Sequence, residues 1–235
     1  MIGSLKWDRD GRREKWRASR LSMDNEVRVT VPLRYGRKSM SRDNTYTMVL
    51  DGEPGIGLLV PFKSEISNAR ALIVEAEALW SAEAPNSRGS IAADWGSVGA
   101  LFQDADAVGS VSTEWTTRFE KEVQIPIKPI TKAGMLAIGW PTNGANEPAE
   151  FDVILATATM PETKRPSPLE IATAWATQAN GREEYFLNNI LHGIRTTEDA
   201  EIWGHLRAAS PKWLDEGAFA VAKSALDAEF AELGA

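Results

Sequence analysis

The sequence predicts an α+β fold: a mostly antiparallel, β-rich body with interspersed helices, followed by a C-terminal block of about four helices. Three observations predict it. Val27, Val29, Val31, Leu33 and Tyr35 alternate with Arg28, Thr30, Pro32 and Arg34, the period of two that marks a half-buried strand. Apolar residues at helical spacing interrupt the β segments near 68–83 and 112–123. From Ser167 onward the apolar residues recur at helical spacing. Strands first and helices last is an α+β order. The chain has 235 residues, enough for one large or two small domains and for a core that needs no disulfide or metal staple. We divide it into a basic N-terminal arm (1–24), a β-rich body (25–160) and a helical block (167–234) packed on that body.

The elements follow in order. Trp7 to Leu21 reads as a short basic helix anchored by Trp7 and Trp16, weakened by Gly11 at about 1 kcal/mol. The strand at 27–35 carries Pro32, which places it at an edge or bulge. A polar loop, 36–44, leads to a second strand at 45–50. Asp51-Gly52-Glu53-Pro54-Gly55 reads as a turn, and Ile56 to Phe62 as a third strand, so 27–62 is expected to be a meander. Ser67 or Asn68 caps a helix that carries Leu72, Ile73, Ala76, Leu79 and Trp80 on one face, and Pro85 ends it. Segments 90–95 and 98–102 read as a strand pair or one bent strand, with Gly96 and Gly99 marking the bend. Ser112 to Val123 reads as a helix packed through Trp115 and Phe119. Segments 125–130, 135–140 and 151–156 read as three more strands.

Ser167-Pro168-Leu169-Glu170 has the capping-box form with proline at the first helical position. That helix carries Leu169, Ala172, Trp175, Ala176 and Ala179, and Gly181 ends it. A second spans 183–191 and stops at Gly193. Thr196 or Thr197 caps a third with Ile202, Trp203 and Leu206 inward. Ser210-Pro211 starts a fourth, with Trp213, Leu214, Val221, Leu226 and Phe230.

Composition excludes several functions. There is no cysteine, so disulfide frameworks, thiolate nucleophiles and cysteine metal sites are ruled out. No apolar run is long enough to span a membrane, and no secretory leader pattern is present. Cytoplasmic localisation, no membrane association and no cofactor are the expectations. The net charge of −7 hides an asymmetry: residues 1–42 carry 12 Lys or Arg against 5 Asp or Glu, net +7, and residues 43–235 carry 14 against 28, net −14. A basic leader on an acidic body suggests a contact with a polyanion or an acidic partner, or a leader that folds onto its own body. The pI of about 5.1 argues against a binder that uses its whole surface for nucleic acid.

The candidate anion-binding residues are Arg34, Arg37, Lys38, Ser39, Arg42 and Asn44 in the polar loop region, with Arg12 and Arg13 of the arm. Arginine and lysine take phosphate or carboxylate oxygens, and serine and asparagine complete the shell. Tyr35 and Tyr46 are candidates for stacking on a base or sugar. Candidate catalytic groups are weaker. His192 and Tyr185 share a helical stripe with Asn189, a set suited to acid–base work, and Asp94 is a possible pocket carboxylate. Gly52-Glu53-Pro54-Gly55-Ile56-Gly57 lacks the helix that a dinucleotide site needs, and Ser97 lacks the glycine two residues upstream that a nucleophile elbow needs. Asp104-Ala105-Asp106 reads as a turn, and no metal site is expected.

These features give a non-catalytic binding or accessory subunit that holds nucleic acid, another phosphate-rich ligand or an acidic protein through the arm and the 34–46 loop, working as a homo-oligomer or complex subunit. One alternative is a small enzyme acting on an anionic molecule in a cleft between the β body and the helical tail. Another is a structural subunit whose arm mediates self-assembly.

Overall fold

A computed structural model describes residues 1–104, 109–177, 184–210 and 219–233. Among them lie eight α-helices and five β-strands, the strands antiparallel where their register is defined, so the fold is α+β with a helical C-terminal block. Ala179, Gly181, Pro211, Trp213 and Leu214 of the predicted helices, and most of the Asp104-Ala105-Asp106 turn, fall outside the described residues. The chain forms two compact units. The first comprises Met1, Asp8–Val31 and Leu58–Met160, and the second Ile2–Trp7, Pro32–Gly57 and Pro161–Ala235.

The meander expected over 27–62 is a single long hairpin, β1 (Val27–Ser39) and β2 (Thr45–Leu59). Pro32 and the Gly52–Gly55 cluster do not break it. Proline costs a strand only its N–H, and Gly52 absorbs a positive φ of 93° inside β2, which a glycine does without a Cβ penalty. Single contacts cover the outer edges. Thr30 N–H donates to Thr142 O (2.8 Å), and Ile56 and Arg195 exchange both backbone bonds (2.8 and 3.0 Å). Such cover blunts an edge against pairing with a stranger.

In the first unit, the predicted arm helix begins later than expected. Asp10 interrupts it and caps α2 (Gly11–Arg20), its carboxylate accepting from Arg12 N–H at 2.8 Å. Residues Ser4–Trp7 form a separate turn, α1, in the other unit. Helix α3 (Ala69–Glu83) is capped by Asn68, as expected, and buries Leu72, Ala76, Leu79 and Trp80. A three-stranded antiparallel sheet orders β3 (Ala92–Ala93), β4 (Gly96–Phe102) and β5 (Val153–Thr159), with Gly96 opposite Thr159 and Phe102 opposite Val153. Helix α4 (Gly109–Glu122) buries Trp115 and Phe119.

The segments expected as strands at 125–130 and 135–140 are not strands. They touch the fold at isolated bridges, Ile130 with Leu136 and Met135 with Ala100. Pro126 and Pro129 remove two of the N–H groups a ladder would need. What fixes them is packing: a Cβ on Gly99 would lie 2.9 Å from both Ile130 and Leu136.

The second unit holds the hairpin from Pro32 to Gly57, α1, and four helices. Helix α5 (Pro168–Ala176) has the predicted capping box, Ser167 Oγ accepting from Glu170 N–H (3.2 Å) and Glu170 accepting from Ser167 N–H (2.7 Å). Helix α6 spans Glu184–Leu191, α7 Asp199–Ala209 and α8 Ala220–Leu233. Thr196 does not cap α7 in the expected sense. It donates both its N–H (2.9 Å) and its hydroxyl (2.6 Å) to Asp199, which is buried. Arg195 bonds Asp199 (3.0 Å) and Glu229 of α8 (2.7 Å), so one guanidinium ties α7 to α8. Burial raises the Asp199 pKa despite that cation.

Candidate cationic hairpin tip and its aromatic support

Helix α2 of the first unit carries arginines that already have partners in their own unit. Arg12 bonds Asp10 through Nε (3.1 Å) and Nη2 (2.8 Å). Those bonds, the side-chain one first, hold the Asp10 carboxyl down to about 2. Arg13 reaches Asp8 (2.6 Å) and Glu83 of α3 (2.9 Å), Arg17 the carbonyl of Asp8 (2.6 Å), and Arg20 Glu75 of α3 (2.7 Å). Residues 13 and 20 advance along α2 while 83 and 75 recede along α3, so the helices are antiparallel. Trp16, midway between the two ion pairs, is buried. Arg9 and Lys15 are exposed.

The polar loop region of the second unit is half strand and half tip. Arg34 is only 5% exposed, and bonds Asp51 through Nε (2.9 Å) and Nη2 (2.6 Å). Glycines at 36 and 52 make room for its side chain. Arg34 is therefore a buried structural cation and not a surface ligand. Tyr35 is fully buried, edge-on to Trp175 with ring centroids 4.9 Å apart, and offers no face to an incoming base. Burial raises its hydroxyl pKa well above the usual value. Tyr46 is also buried, with Lys38 Nζ over its ring at 5.3 Å.

The tip itself runs from Ser39 to Asn44. Met40–Arg42 make a 3₁₀ turn, and Asp43 and Asn44 follow in the left-handed region at φ 52° and 60°. Asn44 N–H donates to Ser39 O (3.0 Å), and Thr45 Oγ1 donates to Arg42 O (2.7 Å). Ser39 is buried and its hydroxyl lies 3.1 Å from that of Ser41. Glu162 pins the flank of β1, donating its N–H to Gly36 O (2.7 Å) and accepting from Lys38 N–H (3.1 Å). The carbonyl of Arg37 accepts from Thr47 Oγ1 (3.2 Å). Lys38, Ser41 and Asn44 are exposed, and Met40 is 87% exposed.

Beneath the tip lies a set of aromatic rings that the sequence does not announce. The Arg42 guanidinium stands 5.1 Å from the Tyr185 ring and 5.7 Å from the Trp7 ring. Trp7 and Tyr185 meet nearly edge-on, 5.6 Å apart at 70°. Asn189, fully buried, accepts from Trp7 Nε1 (2.8 Å) and donates to the Tyr35 hydroxyl (3.4 Å), and the Tyr185 hydroxyl accepts from Met48 N–H (3.1 Å). The contribution of Trp7 and Asn189 was not legible. Trp7 lies far from the loop in sequence, and an asparagine on a helix normally reads as solvent-facing.

The weak catalytic candidates are dispersed. Tyr185 is buried and its hydroxyl is occupied by the Met48 N–H. His192 is half-buried, with Nδ1 2.8 Å from the carbonyl of Asn188. Asp94 is exposed and belongs to the other unit. Among the described residues no group of three His, Asp or Glu could hold a metal ion, and no helix is long and apolar enough to cross a membrane. A shallow groove of about 550 Å³ lies at the start of α5. Its charges pair with one another, Lys164 with Glu170 (3.6 Å) and Arg165 with Glu198 (3.0 Å). No known protein family, curated protein or solved structure matches this chain.

Proposed function

We propose that this chain is a non-catalytic binding or accessory subunit that contacts an acidic partner protein through the tip of the β1–β2 hairpin, while helix α2 serves as scaffold. The observation that carries this reading is the unequal use of the cations. The α2 arginines at 12, 13 and 20 are ion-paired with carboxylates of their own unit, two of them on α3. At the tip and on the β1 flank that leads into it, Met40 and Lys38 are exposed on a backbone held by Glu162 and by the Asn44 and Thr45 bonds. A held loop that presents an exposed methionine suits a protein surface, where methionine is enriched, and the neighbouring lysine supplies the charge that selects an acidic patch. The net charge of −7 repels any polyanion beyond the tip, so a small acidic patch on a protein suits one exposed cation better than an extended phosphate backbone does.

The test is a titration of the full chain with a short poly-glutamate peptide and, separately, with duplex DNA, over a range of salt concentrations. Poly-glutamate binds at low salt, and Lys38→Glu with Met40→Asp weakens it by about tenfold or more, equal to about 1.4 kcal/mol. DNA binds more weakly than the peptide. Equal or tighter DNA binding with a steep salt slope would move the reading to nucleic acid. No peptide binding at low salt, or binding unchanged by the tip variant, overturns it.

A further inference from the structure

We propose that the corner formed by Trp7 and Tyr185 is a recognition site for an organic cation, a guanidinium or alkylated ammonium group, which Arg42 closes in cis. Two aromatic faces set at 70° make a two-walled corner, and a weakly hydrated cation is drawn to such faces by the ring quadrupoles. The guanidinium of Arg42 occupies it, within 6 Å of both ring centres. A planar guanidinium stacks on aromatic rings more readily than a compact, strongly hydrated lysine ammonium. An alkylated ammonium shares that weak hydration, which defines the class of ligand.

The walls stay in place whether or not Arg42 does. Trp7 is fixed by Asn189, a fully buried amide whose other end holds the Tyr35 hydroxyl. Tyr185 is fixed by the backbone N–H of Met48. Gly3 keeps the space beside the Tyr185 hydroxyl open, since a Cβ there would collide with it.

Arg42, by contrast, is half-buried at the hairpin tip, outside the core. It precedes two consecutive non-glycine residues at positive φ, Asp43 and Asn44, a conformation that L-residues enter only at a cost. Its neighbour Ser41 is exposed, as is Asn44. The bonds that hold the two walls do not involve Arg42, so its side chain can leave the corner while the walls and the tip backbone stay in place. A ligand cation reaches the corner when Arg42 vacates it.

The experiment uses the full chain carrying Arg42→Ala, titrated with tetramethylammonium and with methylguanidinium. The reporter is the Trp7 indole N–H resonance, assigned by its absence in Trp7→Phe. The variant shows a saturable shift at about millimolar ligand, and the native chain needs at least about tenfold more. Arg42→Gln, which keeps length and polarity but not charge, gives the same result if the alanine variant does not fold. In the native chain the Arg42 side-chain methylene resonances are displaced upfield by the two rings, and Trp7→Leu reduces that displacement. No saturable shift in either Arg42 variant, an equal response in native and variant chains, or Arg42 methylenes at ordinary positions overturns the proposal. The outcome is separable from the partner-contact reading, because Lys38 and Met40 are unchanged throughout.

Discussion

Replacing Arg20 with methionine removes the cation that faces Glu75. The Glu75 side chain is 6% exposed and that of Arg20 39%. Glu75 Oε1 accepts from Arg20 at 2.7 Å, and Oε2 finds no donor among the described residues. A buried carboxylate stripped of its partner costs about 3–5 kcal/mol, much of it the desolvation of the remaining charge. The Arg20 end of this pair opens to solvent, where ion pairs are worth at most about 1 kcal/mol. The loss for Arg20→Met should therefore fall between, at about 2 kcal/mol. Urea unfolding measures it as a lower midpoint with an unchanged slope. The double variant Arg20→Met, Glu75→Met recovers most of the loss, since an apolar pair of similar volume replaces a buried ion pair at little cost. A loss below about 0.5 kcal/mol for Arg20→Met, or a double variant no more stable than the single one, would refute the claim that α2 holds down a buried acid on α3.

Four further outcomes follow from the geometry. Burial works against the charge of Glu122, but bonds from Ser90 Oγ and Ile91 N–H, with Arg118, hold its pKa below the ordinary glutamate value. Its contribution is therefore full above that ordinary value and is lost as pH falls through the lowered one. Glu122→Gln lowers stability at neutral pH and flattens the acid side of the stability–pH curve, read by thermal unfolding. Asn189→Ala leaves Trp7 Nε1 and the Tyr35 hydroxyl without their amide partner and costs about 1–3 kcal/mol by urea unfolding. Ser167→Ala removes one half of the α5 capping box and costs about 1 kcal/mol in the same assay. Gly134→Ala places a Cβ 2.5 Å from the Phe119 ring at φ 78°, and lowers the melting temperature by more than Ser167→Ala does.

Elements whose signals are local were legible in the sequence. Asn68 before α3 and the Ser167–Glu170 box before α5 are caps that act within one turn of chain, and both are where the pattern puts them. The unbroken hairpin is not legible in the sequence because Pro32 and Gly52-Glu53-Pro54-Gly55 are breakers by composition, while the covered edges and the left-handed Gly52 that tolerate them are tertiary. Residues 125–140 carry β-forming side chains without a partner strand. Ile130 and Leu136 pack at Gly99, and Gly134 lies against Phe119, which alternation alone does not distinguish from a ladder. At the site, charge content identified the 34–46 region, but not which cations face outward. Arg34 and Lys38 share one β-strand and one strand face, yet Asp51 and two glycines bury the first, while the second is exposed. Trp7 and Trp16 look alike as tryptophans in a basic stretch. Asp10 ends the resemblance by capping a helix between them, after which each belongs to a different unit.

In the proposed contact the tip meets the partner and α2 does not. Charge reversal at one exposed lysine of each tests it directly. Lys38→Glu at the tip and Lys15→Glu on α2 change the net charge of the chain equally. Titrated with poly-glutamate at low salt, Lys38→Glu binds about tenfold more weakly than the native chain and Lys15→Glu binds nearly as well. An equal loss in both would reduce the effect to net charge, and a loss confined to Lys15→Glu would return the contact to α2; either contradicts a contact through the tip.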